Sequence, residues 1–147
     1  MPIDLERSLS EEDDIIFVVE DDEVVRSALH FILDDQNETY SFSDLDLAFA
    51  KAADVAPSLV LLGIGFVQSN GESALTEIAM QLPGAKILIV ANSTSDPLAL
   101  ASLKRGAHDV LGKPITFDSV RCKADALLGR HKISPAMLGL LPLSAAW

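Results

Sequence analysis

The run Leu59-Val60-Leu61-Leu62, set after Pro57 and closed by Gly63-Ile64-Gly65, limits what this chain can fold into more than any other stretch. Four consecutive apolar residues with no polar alternate read as a strand buried on both faces, the habit of parallel sheets covered by helices on each side. The glycines that follow mark where the backbone leaves the sheet. In open α/β sheets, ligands and chemistry gather beyond the carboxyl ends of the strands, so Gly63 stands where a site is expected.

The remaining segments alternate in the same sense. Residues 14–19 form an apolar, β-branched first strand that stops at Glu20-Asp21-Asp22-Glu23. Val25, Ala28, Leu29, Ile32 and Leu33 then recur with helical period, and the acids precede them where the helix dipole favours negative charge. Thr39 to Phe42 is a short strand, and Ser43 with Asp46 is expected to open a helix carrying Leu45, Ala48, Phe49 and Ala52. The third strand is expected over Leu59 to Ile64, with a loop as far as Asn70-Gly71. A helix then buries Leu75, Ile78, Ala79 and Leu82 and ends at Pro83-Gly84.

Lys86 to Val90 reads as the fourth strand, and Asp96-Pro97 caps the next helix. That helix is over-apolar: Leu98, Ala99, Leu100, Ala101 and Leu103 cover more than one face, so leucines should remain exposed for a partner. Gly106 ends it, Asp109 to Leu111 is the fifth strand, and Lys113-Pro114 breaks that strand. Thr116 caps a final helix with Phe117, Val120, Ala124, Leu127 and Leu128 on its buried stripe. The organisation is a flexible acidic segment over residues 1–13, one domain over 14–131, and an apolar extension over 132–147. The leucines of the extension must cover something, on their own domain, on a second copy or on a partner.

A formal net charge of −11 argues against nucleic acid and anionic membranes, and no apolar run approaches the roughly 20 residues of a spanning helix. The charge is uneven: from Asp4 to Asp46 nearly every charge is negative, with Arg7 and Arg26 the exceptions, whereas Lys104, Arg105, Arg121, Lys123, Arg130 and Lys132 make the last third basic. Cys122, the single cysteine, reads as a small buried apolar side chain in a reducing, cytoplasmic protein. His30 and His108 lack companions at metal-ligand spacing.

Val18-Val19-Glu20-Asp21-Asp22, Pro57 to Leu62, Asn70-Gly71, and the run from Leu103 to Pro114 (Leu-Lys-Arg-Gly-Ala-His-Asp-Val-Leu-Gly-Lys-Pro) together resemble the receiver domain of two-component response regulators, over about residues 14–130. The resemblance implies a five-stranded parallel sheet in a doubly wound (βα)5, flavodoxin-like fold with strand order 2-1-3-4-5. It also implies an acidic pair that helps to hold Mg²⁺, a phospho-accepting aspartate ending the third strand, a hydroxyl residue ending the fourth, an aromatic on the fifth, and a lysine before a cis proline. Glu20, Asp21 and Lys113 match the pair and the lysine. Gly63 stands at the acceptor position, Ala91 at the hydroxyl position and Val110 at the aromatic position, so three members of one pathway are missing.

Glycine offers no nucleophile, and no acid lies between Pro57 and Glu72 to replace it. The expectation is a degenerate pseudo-receiver and not an enzyme. It would need no cofactor, keeping at most a weak Mg²⁺ site at Glu20, Asp21 and the Gly65 carbonyl, with Lys113 pairing to Glu20 or Asp21. It would act on a histidine kinase, another response regulator or itself. The expected partner surface is the helix over Leu98 to Leu103, the fifth strand and the final helix, with Leu98, Leu100, Leu103, Lys104, Arg105, Val110 and Arg121 as its residues. The alternative is a flavodoxin-like small-ligand-binding protein or enzyme, which the acids after the first strand oppose because they repel phosphate.

Overall fold

A computed structural model of the chain describes residues 14–71 and 73–129. The expectations for residues 1–13 and 132–147, and the side chains of Glu72, Arg130 and Lys132, lie outside the described residues. The element order is β1 (Ile15–Val19), α1 (Glu23–Asp34), β2 (Glu38–Phe42), α2 (Leu45–Lys51), β3 (Leu59–Gly63), α3 (Ile64–Asn70), α4 (Ser73–Gln81), β4 (Lys86–Ala91), α5 (Pro97–Leu103), β5 (Asp109–Gly112) and α6 (Phe117–Leu128).

The five strands form one parallel sheet in the order β2-β1-β3-β4-β5, as expected from the resemblance. The continuous apolar runs divide cleanly between two cores because successive strand residues point to opposite faces. Phe17, Val19, Val60, Leu62, Ile87 and Ile89 pack with α2, α3, α4 and α5 on one face. Ile16, Val18, Leu59, Leu61, Leu88 and Val90 pack with α1 and α6 on the other. Every residue of β3 is buried, so the most constraining stretch of the sequence is also the centre of the sheet.

Local chemistry fixes the helix starts. Asp22 accepts the Val24 and Val25 N–H groups at 2.9 and 3.1 Å. Asp96 accepts from Leu98 and Ala99 at 2.9 and 3.2 Å, with Pro97 as the first helical residue. Thr116 and Ser119 close a reciprocal capping box on α6. At α2 the expected cap Ser43 is displaced by one position: Asp44 accepts the Leu47 N–H at 2.9 Å.

Four expectations are corrected. The stretch from Ile64 to Asn70 is a helix, not a loop, because Val67 is buried and Ile64 and Phe66 pack against the core, outweighing the poor helix propensity of Gly65. Ala79 is exposed, and Ala74 takes its place on the buried face of α4. Cys122 is exposed rather than buried, since α6 turns Val120, Arg121 and Ala124 inward. Phe117 is exposed as well, at the first position of α6.

A carboxyl-edge cleft as candidate functional site

β1, β3, β4 and β5 deliver their last residues to one edge of the sheet. Glu20 follows β1 and its N–H bonds the Phe42 carbonyl at 3.0 Å. Gly63 ends β3 opposite Val90, Ala91 ends β4 opposite Gly112, and the Lys113 N–H reaches the Ala91 carbonyl at 3.2 Å. The Lys113–Pro114 peptide is cis. The structure therefore brings Glu20, Asp21, Gly63, Gly65, Ala91 and Lys113 to the same edge.

Glu20 dominates this cleft. Its side chain is bent back over Gly63 and is only 7% exposed. A Cβ placed on Gly63 would lie 3.0 Å from Glu20 Cδ and 3.3 Å from Oε2, and nearer still to Oε1. The carboxyl group of Glu20 thus fills the volume that any side chain at position 63 would enter. One hydrogen bond holds it there, the Asp22 N–H donating to Glu20 Oε2 at 3.0 Å, while Arg26 Nη1 donates to the main-chain carbonyl of Glu20 at 2.7 Å and fixes the backbone at that residue. Sequence reasoning missed this seating and the part played by Arg26. The signal available was the coincidence of a long acid at 20 with an empty side-chain position at 63.

Burial raises the Glu20 pKa above the ordinary carboxylate range. The Asp22 N–H opposes that rise, the Asp21 carboxyl reinforces it by hydrogen bond and by charge, and Lys113 lowers it by its positive charge. A carboxyl-to-carboxyl hydrogen bond needs a proton on one partner, which is the state a raised pKa favours. Lys113 is exposed and, among the described residues, makes no ion pair within 4.0 Å. The expected pairing with Glu20 or Asp21 therefore does not close, although the ammonium's field reaches Glu20.

The cleft does not fit a Mg²⁺ ion. That ion favours near-octahedral oxygen ligation at about 2.0–2.1 Å, and Gly63 brings no side-chain oxygen while Glu20 is committed to the Gly63 position and the Asp22 N–H. Asp21 lies beside Gly65, whose added Cβ would stand 3.8 Å from Asp21 Oδ2. Among the described residues no group of three or more His, Cys, Asp or Glu side chains is arranged to hold a metal.

Ala91, at that edge of the sheet, and Val110, within β5, are both buried in the core on the face covered by α5. Leu100, Leu103, Lys104 and Arg105 are exposed, as expected of a partner surface, and Leu98 is half-buried. Two residues assigned to that surface are corrected. Val110 points into the core. Arg121 is buried between α6 and the end of α1, where Nη2 reaches Asp125 at 2.6 Å and both Nη atoms reach Asn37 Oδ1 at 3.3 Å. The signal for Arg121 was the Arg121/Asp125 spacing of four, which places acid and base on one helix face.

His30 Nδ1 shares a hydrogen bond with Ser41 Oγ at 3.1 Å. His108 Nδ1 accepts the Ile87 N–H at 2.9 Å, so its ring proton resides on Nε2. Burial, followed by the Lys86 charge, lowers the His108 pKa. Both rings act in local structure.

The model of the response regulator receiver domain matches residues 16–125. Among full-length proteins, the chain is 27% identical over 107 residues to the chemotaxis protein CheY of Listeria monocytogenes, covering 71% of this chain and 90% of CheY. It is 23% identical over 122 residues to the KDP operon transcriptional regulatory protein KdpE of Escherichia coli, covering 82% of this chain and 54% of KdpE. It spans about half the length of KdpE and of the Bacillus subtilis transcriptional regulatory protein LnrK. Among solved structures, the receiver domain of NtrX from Brucella abortus superposes with a TM-score of 0.69 at 32% identity, covering 79% of this chain and 98% of that domain. A response regulator from Thermotoga maritima shares the fold with a TM-score of 0.71 at 19% identity, covering 80% of this chain and 98% of that one. With the sheet order, the acids after β1 and the Lys113–Pro114 pair in place, the chain belongs to the response regulator receiver domain family.

Proposed function

We propose that this chain is a pseudo-receiver, a signalling module that does not accept a phosphoryl group and works by contact with a two-component protein, a histidine kinase or another response regulator, or with a second copy of itself. The observation that carries this reading is the seating of Glu20 over Gly63. Phosphoryl transfer to protein requires a nucleophile in line with the donor, and position 63 has no side chain. The volume beside it holds a carboxyl group whose negative form would repel an incoming phosphoryl oxygen. Buried Ala91 and Val110 supply neither a hydroxyl nor a ring to read out a modified cleft. The flavodoxin-like alternative is not favoured, since the loop after β1 is acidic and the family match covers the domain.

The proposed contact surface centres on α5, where Leu100 and Leu103 are 44% and 37% exposed beside Lys104 and Arg105. Pro97, Leu100, Ala101, Lys104 and Arg105 border a depression of about 290 Å³ there. Apolar side chains ringed by basic ones suit an acidic, apolar partner face.

The test is exposure to acetyl phosphate with Mg²⁺, and separately to beryllofluoride with Mg²⁺, followed by intact mass and amide NMR. No added mass and no shift at the cleft are expected. Stable phosphoryl uptake by the unmodified chain overturns the reading. Gly63→Asp restores a nucleophile once Glu20 swings aside, so it should take up phosphate slowly, with amide shifts confined to the cleft and none propagated to α5.

A further inference from the structure

The outer stripe of α1 is at odds with the end of its own helix. Val24, Ser27, Phe31 and Asp34 recur at helical spacing on the side away from the buried Leu29, Ile32 and Leu33, and Val24 and Phe31 are 78% and 77% exposed. Asp34 and Asp35 close the helix, and its last turn holds no base. The negative end of the helix dipole falls there, so both carboxylates are unfavourable where they stand. Among the described residues neither makes an ion pair within 4.0 Å. Phe31 and the two aspartates border a depression of about 490 Å³ whose lining is mostly polar, with Phe117 as its second ring. This face thus sets an exposed aromatic beside uncompensated negative charge. The complement it lacks is apolar and basic.

We infer that this face receives the α5 surface of a second copy of the chain, head to tail. The pairing rests on α5 being a contact surface, as proposed for the function, and supplies its partner. α5 carries the missing complement: Leu100 and Leu103 are exposed, and Lys104 and Arg105 follow at the helix end beside the depression of about 290 Å³. Phe31 against Leu100, with Lys104 against Asp34 and Asp35, sets apolar on apolar and positive on negative. Like faces repel instead. Two α1 faces would bring four aspartates together, and two α5 faces would bring their bases together. α1 packs with α6 on one side of the sheet and α5 packs on the other, so one copy can hold a neighbour at each face at once. Such a heterologous contact makes no twofold dimer; it adds copies into a ring or an open chain.

Sedimentation equilibrium of the full chain should show an average mass that rises with concentration beyond that of a dimer. Raising salt from about 0.1 to 1 M, which shortens the screening length from about 10 to 3 Å, should weaken the association severalfold. Phe31→Asp should abolish self-association, and so should Leu100→Asp, because each spoils one face and spares the other. Mixed in equal amounts, the two variants should form a one-to-one pair and nothing larger, since only the α5 face of the first and the α1 face of the second remain. Lys104→Glu, at an exposed position, should give the same result in place of Leu100→Asp and guards against a folding defect at the less exposed Leu100. Met80→Asp, on α4, should leave association unchanged. A full chain that stays monomeric at every concentration, or that stops at a dimer, overturns the inference. So does a mixture of the two variants that stays monomeric while the unmodified chain associates. Association that survives Phe31→Asp but not Leu100→Asp sinks only the head-to-tail pairing and keeps α5 as a contact surface; association that survives both Leu100→Asp and Lys104→Glu sinks the pairing and removes the self-contact at α5 as well.

Discussion

The placement of Glu20 over Gly63 can be weighed by replacing Gly63 with alanine in two backgrounds. Gly63 has φ −64° and ψ 139°, a conformation open to any residue. By itself Gly63→Ala should therefore stabilise the domain by about 0.4–1 kcal/mol through the unfolded state's lost freedom. In the unmodified chain the new methyl meets the Glu20 carboxyl inside van der Waals contact, and Glu20 must leave. Leaving breaks the Asp22 N–H bond to Oε2, and a bond to a charged group contributes about 1.5–3 kcal/mol net. Subtracting the backbone gain leaves a destabilisation of about 0.5–2.5 kcal/mol, reduced by whatever hydration the released carboxylate recovers. In a Glu20→Ala background the obstacle is absent and the sign should invert. Urea denaturation of the four proteins at neutral pH gives the coupling directly. Equal stabilisation by Gly63→Ala in both backgrounds, within about 0.5 kcal/mol, would refute the seating of Glu20.

Other expectations follow from the same geometry. Because the folded Glu20 pKa is raised, the native state holds its proton more tightly than the unfolded chain does. Its contribution is therefore fully present below the ordinary 4.5 and is lost as pH rises through the folded value. Glu20→Gln should be more stable than the parent at neutral pH, with the gap closing on acidification below 4.5 in pH-dependent melts. His108 has the opposite sign: its pKa is lowered, so its contribution is present above 6.5 and is lost as pH falls through that value towards the folded one. His108→Asn keeps an acceptor for the Ile87 N–H and should flatten that part of the pH profile. Gly112→Ala should cost about 1–3 kcal/mol in urea midpoints, since its Cβ would stand 2.9 Å from the Thr94 backbone nitrogen and the 92–95 loop would have to move.

The fold was legible because its strands are continuous apolar runs and its helices begin at Asp22, Asp96 and Thr116, where short polar side chains bond the first free N–H groups. α3 was not legible. Its seven residues include Gly65 and no side-chain cap, and the packing of Ile64, Phe66 and Val67 against the core makes it a helix. Phe117 and Cys122 were misplaced for a related reason: a helical stripe in sequence does not say which way the helix rolls on the sheet. On α6 the burial of Val120 and Ala124 and the Arg121 contact to Asn37 set that roll, turning Arg121 inward and both other residues out.

At the candidate site the sequence by itself determined the absences. No arrangement of this chain gives Gly63 a nucleophile, Ala91 a hydroxyl or Val110 a ring, because composition at a position survives any packing. It also determined that Glu20, Asp21 and Lys113 would share an edge, since each directly follows a strand of one parallel sheet. Tertiary structure alone decided what fills the space so left. Glu20 rather than Lys113 answers the missing side chain, because β1 and β3 are neighbours in the sheet and the carboxyl can reach Gly63 while keeping the Asp22 N–H. Distances of this kind arise only when strands far apart in sequence lie side by side, and no pattern along the chain encodes them.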